Sequence, residues 1–327
     1  MLTPRENMME TIKGGKPDRF VKQYEAVSYV PEPYSAASPK IKRGGYGVNQ
    51  WGVTRYFSEN APAPIPVHND GLTVCKDITR WHEAVKAPAI AEDYESWRPF
   101  IEMAEKIDRK NFFVATSFYP GIFENLHFLM GMEDTFVNFY EEPEHMHGLI
   151  DYIADWELYY AELLCKYIKP DLVMHSDDLG SSNSSFFSPK IFNEFFVPSY
   201  KRIFGCLKNR GVEVIMHHSD SYAANLVPGM IEMGVDIWQG TMSTNNIPGL
   251  IKKHGGQIAF MGGIDNREVD RPDWTAELIM KATEKACREN GKEYYIPATL
   301  MAMPGCLYPG VYEAVSDAID IMSRQMF

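Results

Sequence analysis

Short apolar runs alternate with amphipathic stretches through most of this chain, and that alternation restricts the fold more than any other feature. The runs fall at 112–116, 172–176, 212–216, 235–238, 258–261 and 294–296. They are rich in β-branched and aromatic residues and bounded by turn residues, so they read as buried strands. Stretches of helical periodicity lie between and around them, at 81–85, 94–109, 120–130, 135–140, 143–167, 226–232, 247–253, 274–288 and 312–324. Ser188-Pro189 opens a further helix, with proline in the first turn. Strands that alternate with helices without a break in composition pair in parallel through crossover helices. Roughly seven to eight such units favour a closed (β/α)8 TIM barrel, an α/β fold, over an open sheet. An open dinucleotide-binding sheet is the alternative, but no Gly-x-Gly-x-x-Gly follows a strand and no Walker loop is present. The chain therefore reads as one domain over 1–327.

The margins of this pattern are less regular. Thr3-Pro4-Arg5-Glu6 predicts a helix opened by a capping box and closed at Gly14-Gly15. A first strand is expected at 19–21. Residues 32–66, rich in Pro, Gly and Tyr, read as an ordered excursion near the barrel mouth, because their aromatic residues can offset the entropy of ordering.

Composition excludes several classes. A net charge of −12 argues against a nucleic-acid partner. No apolar run approaches about 18 residues, so no membrane span is expected, and the first residues lack the apolar core of a signal peptide. Five scattered cysteines without a CxxC pair suit a reducing cytoplasm.

In a barrel the carboxyl ends of the strands converge on one face, where the chemistry sits. The polar strand ends are Asp177-Asp178, His217-His218-Ser219-Asp220, Gln239, Asp265 and, after the last strand, Cys306 in a Gly/Pro turn. His218 and Asp220 are two apart on an extended end and so share a face. Imidazole, carboxylate and thiolate are zinc donors, and three of them with an open position is the catalytic pattern. A hydrogen-bonded core histidine and an inert turn thiol account for the spacing equally well. Of Asp177 and Asp178, only one can enter the cavity; the other would cap the Gly180-Ser181-Ser182 turn. His175 reads as a core histidine. Asp265 either binds a polar substrate group or caps the following helix.

Together these fragments resemble the uroporphyrinogen decarboxylase superfamily, and within it the cobamide-dependent methyltransferases. The resemblance runs through Thr3-Pro4-Arg5-Glu6-Asn7, Lys16-Pro17-Asp18-Arg19, Asn49-Gln50-Trp51-Gly52-Val53 and Gly121-Ile122-Phe123-Glu124. It continues with Asp177-Asp178-Leu179-Gly180, His218-Ser219-Asp220, Gly262-Gly263-Ile264-Asp265 and Pro304-Gly305-Cys306. It implies a single distorted (β/α)8 barrel. The decarboxylases' Arg-Gln-Ala-Gly-Arg-Tyr is absent, since 21–27 reads Val-Lys-Gln-Tyr-Glu-Ala-Val. The methyltransferase branch carries His-x-Cys-Gly and a late Cys, which bind zinc. Here His218 and Cys306 match, while Asp220 replaces the first Cys, as in members that remove methyl groups from ethers.

The resemblance thus implies Zn2+ held by His218, Asp220 and Cys306, with Asp178 and Glu124 as catalytic groups or extra ligands. It implies transfer of a methyl group from an O-methyl donor, aryl ethers included, to the Co(I) corrinoid of a partner protein. Tyr119, Trp51, Asp177, Gln239 and Asp265 are the expected substrate contacts, and Phe118, Tyr46 and Trp238 could add to an aromatic pocket. A carboxylate in place of a thiolate leaves zinc harder towards an oxygen donor. The competing functions are a methyl-corrinoid:thiol methyltransferase and a metal-free lyase or binding protein. A methylamine donor and a homodimer both stay open.

Overall fold

The computed structural model of the chain describes residues 1–59, 61, 63–300 and 307–327. In chain order the strands are β1 Val27–Tyr29, β2 Tyr46–Val48, β3 Thr54–Tyr56, β4 Ile65–Pro66, β5 Phe113–Phe118, β6 Leu172–Ser176, β7 Val214–His218, β8 Ile237–Thr241, β9 Ala259–Ile264 and β10 Tyr295–Thr299. Seven of them form one parallel sheet in the order β1-β5-β6-β7-β8-β9-β10. Helices Pro143–Tyr167, Val197–Asn209, Val227–Met233, Ile247–His254 and Ala276–Asn290 make the successive crossovers, and Val311–Met326 follows β10.

The sheet is curled. Alternate residues of its strands, among them Ala115, Leu172, Met216, Ile237, Met261 and Ala298, gather in one apolar cluster. The opposite faces of the strands pack on the surrounding helices in a second, larger core. Being buried on both faces, the strands read as unbroken apolar runs. Among the described residues the sheet has seven strands, and no pair joins β1 to β10. This is a parallel half-barrel of the expected α/β class; the described part does not close into eight strands.

Helix Pro4–Lys13 lies across the end where the strands begin. Its capping box forms as read from the sequence, and Gly14 ends it in the left-handed conformation. Met8 joins the interior cluster, and Arg5 reaches Asp171 just before β6. The segment 19–21 is not a strand. Its backbone is held by side chains: Asn7 Nδ2 donates to the Arg19 carbonyl at 3.1 Å, and Phe20 N–H to Ser323 Oγ at 3.1 Å. The first strand comes later, at β1, against β5.

The excursion contains a short helix, Pro33–Ala36, and an antiparallel sheet in the order β2-β3-β4. From β3, the Arg55 guanidinium lies 6.0 Å from the ring of Tyr119, directly after β5, and 5.8 Å from that of Phe128. The small sheet therefore sits over the carboxyl end of β5.

Candidate metal centre

The parallel register builds the site. Ser176 on β6, His218 on β7 and Gln239 on β8 are neighbours across the ladder. Side chains that oppose one another across a ladder share a face, so His218 and Gln239 meet inside the curl. Just beyond the strand ends, β6 and β7 are laced together. Leu179 N–H donates to Ser219 Oγ at 2.9 Å, and Asp220 N–H donates to Asp178 Oδ1 at 3.1 Å. Ser219 thus fixes the turn while Asp178 and Asp220 are drawn side by side. Gly240 permits the close approach of β8: a Cβ there would stand 3.0 Å from Ser219 and Asp220 backbone atoms.

The result is a cluster of three donors. Asp178, His218 and Asp220 each offer an atom, and these atoms lie within 4.8 Å of one another. His218 Nδ1 hydrogen-bonds Gln239 Oε1, and the Gln239 amide donates to the Leu300 carbonyl at 2.9 Å. That chain sets the imidazole tautomer and leaves Nε2 as the free lone pair. Gln239, expected to touch substrate, is therefore placed as the orienting partner of His218. One imidazole and two carboxylates, with the imidazole held from behind, fit a divalent cation.

The electrostatics agree with that fit. Burial, and then the neighbouring Asp178 charge, push the Asp220 carboxyl up to about 6. Burial raises Glu124 well above the usual carboxylate range, reinforced by Asp178, Asp177 and Asp220 and opposed by Arg55. Closely spaced carboxylates favour either protons or a cation.

The other expected residues fall in different places. Asp177 is fully buried and turned away from the trio. Its Oδ1 accepts from Glu124 N–H at 2.8 Å; its Oδ2 accepts from Phe123 N–H at 3.0 Å and from the Tyr200 hydroxyl. It caps helix Ile122–Met130, not the Gly180 turn. Gly121 makes that approach possible, since a Cβ there would stand 2.6 Å from that of Asp177. Burial raises the Asp177 carboxyl to about 7 despite these bonds. Asp265 caps helix Asn266–Val269 and pairs with Arg267 at 2.5 Å. Trp51 is buried edge-on against Trp156, 5.4 Å between centroids, which makes it a core residue. Trp238 donates from its indole to the Ser219 carbonyl at 2.9 Å and packs on Phe260. Phe118 is buried against His175, whereas Tyr46 packs at a tilt on Tyr56, its own side chain exposed. Tyr119 is 44% exposed beside Arg55.

His175 pairs with Glu157 at 3.0 Å, both out of solvent. His217 faces the helices, stacked on His175, and burial pushes it well below the usual imidazole range. Cys306 lies outside the described residues. Arg55 and Tyr200 escape a reading of the sequence, because neither stands near a polar strand end.

A half-barrel with a donor cluster at the carboxyl ends of its strands defines an α/β protein with its site at the barrel mouth. Residues 66–314 match the uroporphyrinogen decarboxylase (URO-D) family, and the chain belongs to that family. Among solved structures it resembles a methyltransferase from Methanosarcina mazei, with a TM-score of 0.69 over 98% of this chain and 99% of that one. The two sequences are 12% identical, so the likeness is one of fold. A comparison with curated proteins finds no match.

Proposed function

We propose that this chain is a corrinoid-dependent methyltransferase component that takes a methyl group from an O-methyl donor and delivers it to a corrinoid protein. The observation that carries the reading is the Asp178–His218–Asp220 cluster in a URO-D family chain that lacks the decarboxylases' arginine-rich segment. The methyltransferase that shares the fold supports the same branch. Asp178, His218 and Asp220 would hold Zn2+, with Cys306 as the fourth ligand by resemblance. Zn2+ there would supply a Lewis acid for an ether oxygen, and the partner's Co(I) corrinoid the nucleophile for the methyl carbon.

The chain's own residues do the rest. Gln239 accepts from His218 Nδ1 and so turns Nε2 towards the cluster. Glu124, whose carboxyl burial raises well above the usual range, is placed to supply the proton that the departing oxygen takes up as its bond to the methyl carbon breaks. Asp177 and Gly121 place that glutamate by fixing the start of its helix. The Arg55 charge and the Tyr119 hydroxyl stand close enough to act electrostatically on Glu124.

A thiol methyltransferase is the second reading, and two carboxylates in the donor set weigh against it, because soft thiolates suit thiol activation. Absorbance separates the readings. Methylation of a Co(I) corrinoid protein by veratrole in the presence of the enzyme is the expected result. Demethylation of its methyl form by a thiol would replace this reading with the second. Silence in both directions would leave a binding protein and refute the proposal.

A further inference from the structure

Below the donor cluster the described residues of the half-barrel enclose a cavity. Met174 and Met216 are paired across β6 and β7, two residues before the Ser176–His218 pair. They therefore face inward on the same side as His218, about 6.6 Å down the strand at ~3.3 Å per residue. Together with Tyr24, Tyr29, Ala115 and Tyr312 they line a cavity of ≈190 Å³. Met174 and Val27 are inward-facing strand residues, yet both remain half-exposed, as expected where the interior is not filled.

The lining is chemically uniform. Among the described residues, none bordering the cavity carries a charge. The Tyr29 hydroxyl is engaged with Ser117 Oγ at 2.7 Å, and that of Tyr312 with the backbone of Tyr24. These tyrosines therefore offer ring surface more than free polar groups. Thioether and aromatic walls suit a flat, polarizable guest. Size sets a second limit: an apolar cavity of about 150 Å³ accommodates benzene, so this one suits a single ring with one or two small substituents. A tetrapyrrole is far too large. A methylammonium ion could contact the ring faces, but it would give up its hydration with no carboxylate in the lining.

We infer that this cavity is a binding site for a neutral single-ring aromatic group, and that Met174, Met216 and Tyr29 select it. The use of the site rests on the methyl-transfer reading above. A methoxyarene seated there would carry its ether oxygen up to the level of His218. The non-reacting ring would then supply the binding energy while the cluster above meets only the oxygen.

The test is binding without turnover, on chelator-treated protein in which the methionine methyls carry ¹³C. Anisole should bind saturably and shift the Met174 and Met216 signals, assigned by Met→Leu substitution. Tetramethylammonium should fail to displace it. Ala115→Leu and Met174→Phe, which fill the cavity, should each weaken anisole binding at least tenfold with native melting curves retained. The methyl signals of the unaltered protein decide the matter even where a filling variant folds poorly. The inference is overturned by shifts confined to other methionines, by absence of saturable binding, or by preference for tetramethylammonium. Ring binding in a protein that methylates no Co(I) would leave this site standing and remove the methyl-transfer reading; methyl transfer without ring binding would do the reverse.

Discussion

Gln239 Oε1 accepts a hydrogen bond from Nδ1 of His218, its neighbour across the β7–β8 ladder. One amide thereby decides which imidazole nitrogen is left to bind a cation. Gln239→Leu removes that partner without opening a large void. Orienting partners of metal-binding histidines are worth about 10–100-fold in affinity. Zinc affinity, measured by competition with a chromophoric chelator, should fall within that range while the melting curve keeps its cooperativity. An unchanged affinity would mean that Gln239 serves substrate after all.

Asp220 ties stability to pH in the metal-free protein. Its carboxyl titrates near about 6 when folded, raised first by burial and then by Asp178, against about 3.9 when unfolded. Between those values the folded state binds the extra proton, so this contribution is full below about pH 4 and is lost as pH rises through about 6. His217, pushed down by burial, has the opposite sign, its contribution being lost as pH falls. Comparison with Asp220→Asn isolates the aspartate. The variant's stability advantage in denaturant melts should grow by about 2 kcal/mol from pH 4 to pH 7.5. An advantage independent of pH would show that Asp220 is ionised throughout.

Asp177 and Asp178 are adjacent, and their substitution should have unlike effects. Asp177→Ala strips the cap of helix Ile122–Met130 and leaves the Tyr200 hydroxyl without its acceptor. A lost cap and an unsatisfied buried group together cost about 2–4 kcal/mol, visible in urea melts, with zinc content preserved. Asp178→Ala should do the converse, depleting zinc with little loss of stability. The reverse pattern would exchange the two roles.

Glu124 holds the proposed proton. Glu124→Gln should keep the metal and slow turnover by about 10²–10⁴-fold, removing the alkaline limb of the pH–rate profile. A profile identical in shape to the original would assign the proton to another group.

Much of this architecture is legible in the sequence. Buried parallel strands demand apolar runs, and crossover helices demand their own period, so β5 to β10 and the long helix Pro143–Tyr167 stand out. The pairing of His218 with Asp220 follows from their two-residue spacing at the end of one strand. Roles set by tertiary contact do not follow. Nothing local distinguishes Asp177 from Asp178, because the choice depends on where a helix more than 50 residues earlier begins. Trp51 looks like a pocket residue until Trp156 covers it. Arg19-Phe20-Val21 is apolar enough for a strand, but side chains from two helices take its hydrogen bonds. Tyr29 and the two methionines give no signal beyond ordinary core composition, since a hollow is a property of what fails to fill it.

If Asp178, His218 and Asp220 hold zinc for the reaction, the metal content of the purified protein will show it by elemental analysis. One zinc per chain is expected, lost in His218→Ala and Asp178→Ala along with methyl transfer, with activity restored to the stripped native protein by Zn2+. A protein stripped of metal that transfers methyl groups at the full rate would contradict that role.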